Sequence, residues 1–165
     1  MAADSGLGLL LGIDPGLAAT GWALLWPDSR VAGCGTIRTA PGPPGPRLLK
    51  LVSALRVVVE SEPVSEAALE ELFMGRNASS ALGVAQARGA VMVALAGAGI
   101  PIFEYKPAQV KAALTGYGMA DKAQVARMLA LQMAELRPAD DHATDAIAIA
   151  LCHARGRRLK LVTGR

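Results

Sequence analysis

Residues Leu7 to Ile13 form an unbroken run of apolar residues and glycine, which stops at Asp14-Pro15-Gly16. A short continuous apolar run bounded by a turn signal reads as a strand buried on both faces, here Gly8–Asp14. It is too short to span a bilayer, and it lacks the basic leader and small-residue cleavage site of a secretion signal. A carboxylate at the exit of a buried strand is costly unless it meets a cation or several donors. Asp14 is therefore either the side chain that holds the Asp-Pro-Gly turn or part of a charged site, and local sequence leaves both open.

Past this strand the pattern continues with a second one over about Thr20–Trp26, closed by Pro27-Asp28-Ser29, and a third over about Val31–Thr39. Their short connections predict an antiparallel meander. Ala40–Pro46 holds four prolines and two glycines in seven residues and is expected to be a loop. Leu48, Leu51, Val52, Leu55 and Val59 fall at helical spacing and predict a helix over Arg47–Glu60. A fourth strand is expected at Ala67–Phe73. A long helix capped by Asn77 or Ser79 should then reach Ala98, before a fifth strand at Ile100–Tyr105. Helices over Pro107–Leu114, Asp121–Met133 and Asp140–Ala154 complete the pass. The order βββ-α-β-α-β-α predicts an α/β, ribonuclease-H-like fold: a five-stranded mixed sheet, its first three strands antiparallel, flanked by helices. Residues 1–154 read as one nuclease-sized domain, followed by a basic tail at 155–165.

With 165 residues the chain can bury a substantial core, and with 52% hydrophobic but 4% aromatic residues that core must be built from Ala, Leu, Val and Gly. Cys34 and Cys152 stand far apart in no metal-type spacing, which suits two thiols in a reducing compartment, so a cytoplasmic protein is expected. Charge is unevenly spread. Arg155, Arg157, Arg158, Lys160 and Arg165 face no acid in the tail, while the other 154 residues hold 12 basic and 14 acidic side chains. Between Phe73 and Ala134 lie Arg76, Arg88, Lys106, Lys111, Lys122 and Arg127 against only Glu104 and Asp121. A polyanion partner explains that split; a solvated surface is the plainer alternative.

Two-metal phosphodiester hydrolysis needs several hard oxygen ligands converging on one point, so the placement of acids matters. Glu70 and Glu71 sit inside an apolar strand, and alternation sends them to opposite faces without deciding which one matters. Asp140-Asp141-His142-Ala143-Thr144-Asp145 opens an apolar helix. At about 100° per residue, Asp145 lies about 40° from Asp141 and about 60° from His142. Asp140 and Asp141 suit a helix cap. Asp145, a turn inside and followed by Ala146-Ile147-Ala148-Ile149-Ala150-Leu151, has no such excuse.

Gly12-Ile13-Asp14-Pro15-Gly16 with Thr20-Gly21, Ala68-Leu69-Glu70-Glu71-Leu72-Phe73-Met74 and Gln86-Ala87-Arg88-Gly89 resemble successive blocks of the RuvC-type Holliday-junction resolvases. So do Glu104-Tyr105, Gln109-Val110-Lys111 and Asp145-Ala146-Ile147-Ala148-Ile149-Ala150, so the resemblance covers about Leu9 to His153. It implies a structure-selective endonuclease that cuts four-way DNA junctions symmetrically in recombination and repair, leaving 5′-phosphate and 3′-hydroxyl ends. It implies metal binding at Asp14, Glu70, His142 and Asp145, and so selects Glu70 over Glu71. Mg2+ or Mn2+ is the expected cofactor, two ions per site. Many family members carry aspartate where this chain has His142; imidazole suits manganese better than magnesium, and Asp141 is the alternative acid. The resemblance also puts Lys111 and Lys122 beside the scissile phosphate, Phe73 at the junction centre stacking on bases, and Arg76 near the backbone. It implies a homodimer, with a branch-migration motor as a candidate further partner and no membrane contact. The apolar, Ala- and Gly-rich helix Ser79–Ala98 is a surface that a second subunit would cover.

Two other classes compete. Gly12-Ile13-Asp14-Pro15-Gly16…Thr20-Gly21 also resembles the first phosphate loop of actin-like ATPases and sugar kinases, which need a second domain for which this chain has little room. A junction-binding protein without cleavage activity is the other, kept open by His142.

Overall fold

A computed structural model of the chain describes residues 8–72, 78–132 and 140–163. Its elements are β1 (Leu9–Asp14), β2 (Ala19–Leu25), β3 (Val31–Arg38), α1 (Pro44–Ser61), β4 (Val64–Glu70), α2 (Ala78–Gly97), β5 (Ile102–Tyr105), α3 (Pro107–Thr115), α4 (Lys122–Gln132) and α5 (Asp141–Thr163). The sheet runs β3-β2-β1-β4-β5. β1 pairs antiparallel with β2, and β2 with β3, while β1–β4 and β4–β5 are parallel. The mixed five-stranded sheet read from the sequence is thus present, with β1 at its centre. A central strand covered on both sides must be apolar at every position, which is why Leu9, Leu10, Leu11 and Ile13 have no exposed surface.

Each face of the sheet carries its own core. On one, Leu11, Ile13 and Leu69 meet α1 through Leu51 and Leu55 and α2 through Val91 and Leu95. On the other, Ala23 and Ala68 meet α5 through Ala146, Ile147 and Ala150, with α3 and α4 adding Val110, Leu114 and Leu129. The small residues predicted to carry the packing do so most visibly under α5. A Cβ on Gly12 would land on the carbonyl oxygen of Ala146, and one on Gly21 on the carbonyl oxygen of His142. Two strand glycines therefore let a helix backbone lie directly on the sheet.

Several boundaries differ from expectation, β5 by starting at Ile102 rather than the expected Ile100. α1 starts at Pro44, inside the segment expected to be loop, because the first helical turn has no intrahelical N–H bonds for proline to remove. β4 spans Val64–Glu70 rather than Ala67–Phe73. Its early half is polar at Ser65 and Glu66, and Glu66 is tolerated because His153 Nε2 lies 2.8 Å and Arg157 Nε 3.2 Å from its carboxylate. α5 runs on to Thr163 instead of ending near Ala154, so most of the basic tail is helical. Its first arginines are used in packing: Arg155 bonds the Ala113 carbonyl, and Arg157 pairs with Glu66. α2 begins at Ala78, ahead of Ser79, and Asn77 lies outside the described residues.

Asp140 fastens the start of α5. One carboxylate oxygen accepts from the Ala143 N–H at 3.0 Å and the Thr36 hydroxyl at 2.6 Å, and the other pairs with Arg38 at 2.5 Å. The Thr36 and Ala143 hydrogen bonds, with Arg38 behind them, hold its pKa down at about 2. A depressed carboxylate adds stability above its unfolded pKa and loses it as pH falls through the folded value. Asp140→Ala should therefore lower stability near neutral pH, by about 1–2 kcal/mol for the cap alone. That deficit should shrink between about pH 4 and pH 2, as followed by thermal melts across pH; a pH-independent deficit would contradict the assignment. Gly12→Ala should cost about 1–3 kcal/mol through overpacking, or roughly 3–10 °C in Tm. Gly45→Ala, where nothing lies within 4 Å of the new methyl group, should leave Tm unchanged or slightly raised.

Candidate active site

Register decides which acids meet. Ile13 and Leu69 are paired across the parallel β1–β4 ladder, so Asp14 and Glu70 follow side by side as the strands end. Alternation does the rest. Ile13 and Leu69 point into the α1/α2 core, which turns Asp14 and Glu70 toward α5 along with Gly12 and Ala68. Glu71 takes the opposite sense and is exposed, so of the two glutamates it is Glu70 that lines the cleft with Asp14. From above, the close docking of α5 on Gly12 and Gly21 lowers Asp145 into the same space. Asp14, Glu70 and Asp145 line one cleft of about 330 Å³, with Lys111 of α3 and Lys122 of α4 on its wall.

The three carboxylates oppose one another. Burial raises the pKa of Glu70, Asp14 and Asp145 push it further, and Lys111 pulls it back. Burial likewise raises Asp145, helped by Asp14 and opposed by Lys122. Hard oxygen donors crowded at half-buried positions, with Glu70 and Asp145 penalised for their charge, are the donor set that a divalent cation satisfies. Among the described residues, no group of three acids, histidines or cysteines already stands close enough to hold one ion in common. Asp14 instead takes a local partner, with His142 Nδ1 3.0 Å from its Oδ2.

His142 thus joins the site through Asp14, with its side chain 43% exposed, and Asp141 does not join it. Asp141 is exposed and pairs with Lys122 Nζ at 3.2 Å, and it does not line the cleft with the other acids. Phe73 and Arg76 lie outside the described residues. The phosphate-loop reading of the glycines meets a physical obstacle. Gly12 and Gly21 are filled by the α5 backbone, and Gly16 is bound to Thr20 through its N–H and carbonyl, so these residues close a turn and a helix contact.

Two sets of supporting residues escaped the sequence. Arg88, on α2, donates to the Glu70 carbonyl at 2.5 Å and pairs with Glu104, gripping the end of β4 next to the acid. Farther along α5, buried His153 joins Glu66 to the Tyr105 hydroxyl, 2.7 Å from its Nδ1. Burial, with Cys152 and Glu66 nearby, pushes the Tyr105 pKa up to about 12. A polar cluster under an apolar helix fixes how that helix is rotated, and hence where Asp145 points. The strand glycines were the available signal for close backbone approach. His153 carried none, since its partners are distant in sequence; Arg88 and Glu104 stood in separate blocks singled out from the sequence, but nothing there paired them.

Residues 10–153 match the family model described as crossover junction endodeoxyribonuclease RuvC. A protein of that name from Chloroflexus aggregans is 48% identical over 149 residues, 87% of this chain and 91% of its own length. Its namesake from Coxiella burnetii is 43% identical over 156 residues, 92% of this chain and 90% of its own length. The T. thermophilus RuvC solved in complex with a Holliday junction substrate superposes with a TM-score of 0.85 at 34% identity, covering 92% of this chain and 96% of that one. The yeast mitochondrial Holliday junction resolvase Ydc2, at 12% identity and a TM-score of 0.64 over 90% of this chain and 78% of its own, shares the fold. With its fold and nearly its whole length matched by these relatives, the chain belongs to the RuvC family of crossover junction endodeoxyribonucleases.

Proposed function

We propose that this protein resolves four-way DNA junctions in recombination and repair, hydrolysing two opposed strands symmetrically with divalent metal. The observation that carries this is the meeting of Asp14, Glu70 and Asp145, from three separate elements, in one cleft opposite Lys111 and Lys122. The acids are the ligands for Mg2+ or Mn2+, two ions per site, with His142 as the fourth group. Its Nδ1 faces Asp14, leaving Nε2 for a metal or a proton. Divalent ions held there supply Lewis-acid polarisation of the phosphate and activation of water. Lys111 and Lys122 neutralise and orient the scissile phosphate. Phe73 and Arg76 are assigned to junction contact by family likeness alone.

A homodimer suits a two-fold substrate, and α2 is its proposed interface. Ala87, Val91, Ala94 and Leu95 bury one side of that helix. Leu82, Gly89 and Val93 fall on the other within about 40° of arc, with Leu82 and Val93 exposed and nothing within 4 Å of a Cβ on Gly89. Among the described residues no helix is long and apolar enough to cross a membrane, and action on chromosomal junctions puts the protein in the cytoplasm. A branch-migration motor that delivers junctions is the further partner proposed.

Incubation with a synthetic four-way junction should yield paired nicks in Mg2+ or Mn2+. Asp14→Asn should reduce nicking by at least ~100-fold with junction affinity nearly unchanged, since one ligand is lost but the phosphate contacts remain. Binding with no nicking by the unsubstituted protein in either cation would favour the alternative, a junction-binding protein without cleavage activity. Because Glu70 and Asp145 are raised, the metal-free fold loses stability as pH rises from ordinary carboxylate values through theirs. Glu70→Gln and Asp145→Asn should then raise the metal-free Tm at neutral pH, by about 2–4 °C for each kcal/mol recovered. Both should also blunt the Tm increase that Mg2+ or Mn2+ gives the unsubstituted protein. An unchanged metal-free Tm together with an intact cation increment would remove these residues from the metal site.

A further inference from the structure

Lys111 and Lys122 belong to helices joined by the short connector Gly116–Asp121, which carries a feature that phosphate contact does not use. Tyr117 is 61% exposed and Met119 is 77% exposed. The chain has only six aromatic residues, and Tyr117 is the most exposed of those described. A lone exposed apolar residue is ordinary on a mobile loop. This connector is tied down. Gly116 takes the left-handed conformation and its N–H closes α3 on the Ala112 carbonyl. The Thr115 hydroxyl oxygen accepts from the Tyr117 N–H at 3.1 Å and lies 2.9 Å from the Tyr117 carbonyl. Gly118 packs on the Ala108 carbonyl, where a Cβ would sit 3.1 Å away, and Ala120 is anchored in the interior at 2% exposure. The backbone is fastened on both sides of two large apolar side chains held out in water.

Their surroundings name the occupant. Residues 106–127 hold Lys106, Lys111, Lys122 and Arg127 against one acid, Asp121. A rigid aromatic within a basic surface beside a phosphate-handling cleft is the combination that binds unpaired or unstacked nucleobases, where the cations track the backbone and the ring stacks. A purely apolar protein partner would not call for that excess of cation.

We infer that the α3–α4 connector is a nucleobase-contacting lip, on which Tyr117, with Met119 beside it, stacks on a base next to the strand engaged by Lys111 and Lys122. This deepens the nuclease reading and rests on it. The lip would determine which bases are favoured at the cut, because stacking strength differs between bases while phosphate contacts are indifferent to sequence.

The test is binding of a synthetic four-way DNA junction, without divalent cation, over a series of salt concentrations. Tyr117→Ala should weaken binding roughly 5- to 100-fold, Tyr117→Trp should restore most of it, and neither should move Tm. The slope of log affinity against log salt should be unchanged by Tyr117→Ala, since stacking releases no counterions, and should become shallower in Lys111→Ala. Tyr117→Ala binding within about twofold of the unsubstituted protein, or a loss that tryptophan does not restore, would overturn the lip alone. No junction binding by the unsubstituted protein would overturn the nuclease reading and the lip with it.

Discussion

The backbone-to-sheet contact of α5 is the constraint on which the rest depends. A helix normally stands off a sheet by the thickness of its side chains. Here Gly12 and Gly21 remove that layer at two places, so the Ala146 and His142 carbonyls occupy the space a β-carbon would take. Everything the cleft needs from α5 follows from that depth. Asp145 reaches the ends of β1 and β4, His142 reaches Asp14, and Asp140 reaches back to Thr36 and Arg38 on β3. Farther along, Glu66, His153 and Tyr105 set the rotation of the same helix.

A site assembled this way is a stability burden. Glu70 and Asp145 are both held in a half-buried place where their charge is disfavoured, and each makes matters worse for its neighbours. The scaffold carries the load through contacts that lie outside the cleft, among them the Asp140 clasp and the Arg88 grip on the Glu70 carbonyl. Such a division between stable frame and strained centre is common where function needs groups that folding alone would separate.

Much of this was legible in the residues. The five strands and their antiparallel start could be read because each carries a plain apolar pattern, and Asp145 announced itself as a charge on an otherwise buried helix. Glu66 shows where reading stopped. The expected fourth strand began just after it, because its partners, His153 and Arg157, are about ninety positions away. The tail read only as a basic end for the same reason: Arg155 and Arg157 are packing residues once α3 and β4 are beside them. Asp141 is the converse case. Helical geometry allowed it onto the same side as Asp145, but in the structure it is exposed and pairs with Lys122. Periodicity reports which face a residue shares and says nothing of who waits opposite.

The parallel pairing of β1 with β4 has a consequence for tolerance to change. Asp14 and Glu70 directly follow the last rung, Ile13–Leu69, of a hydrogen-bonded ladder whose strands run about 4.8 Å apart whatever connects them. More than fifty residues separate the two acids along the chain, yet the rungs from Val64 to Leu69, and not the connections between strands, gauge the gap. The exposed stretch Ala40–Pro43 could gain or lose residues, or be opened to make new termini, and the two carboxylates would keep their distance.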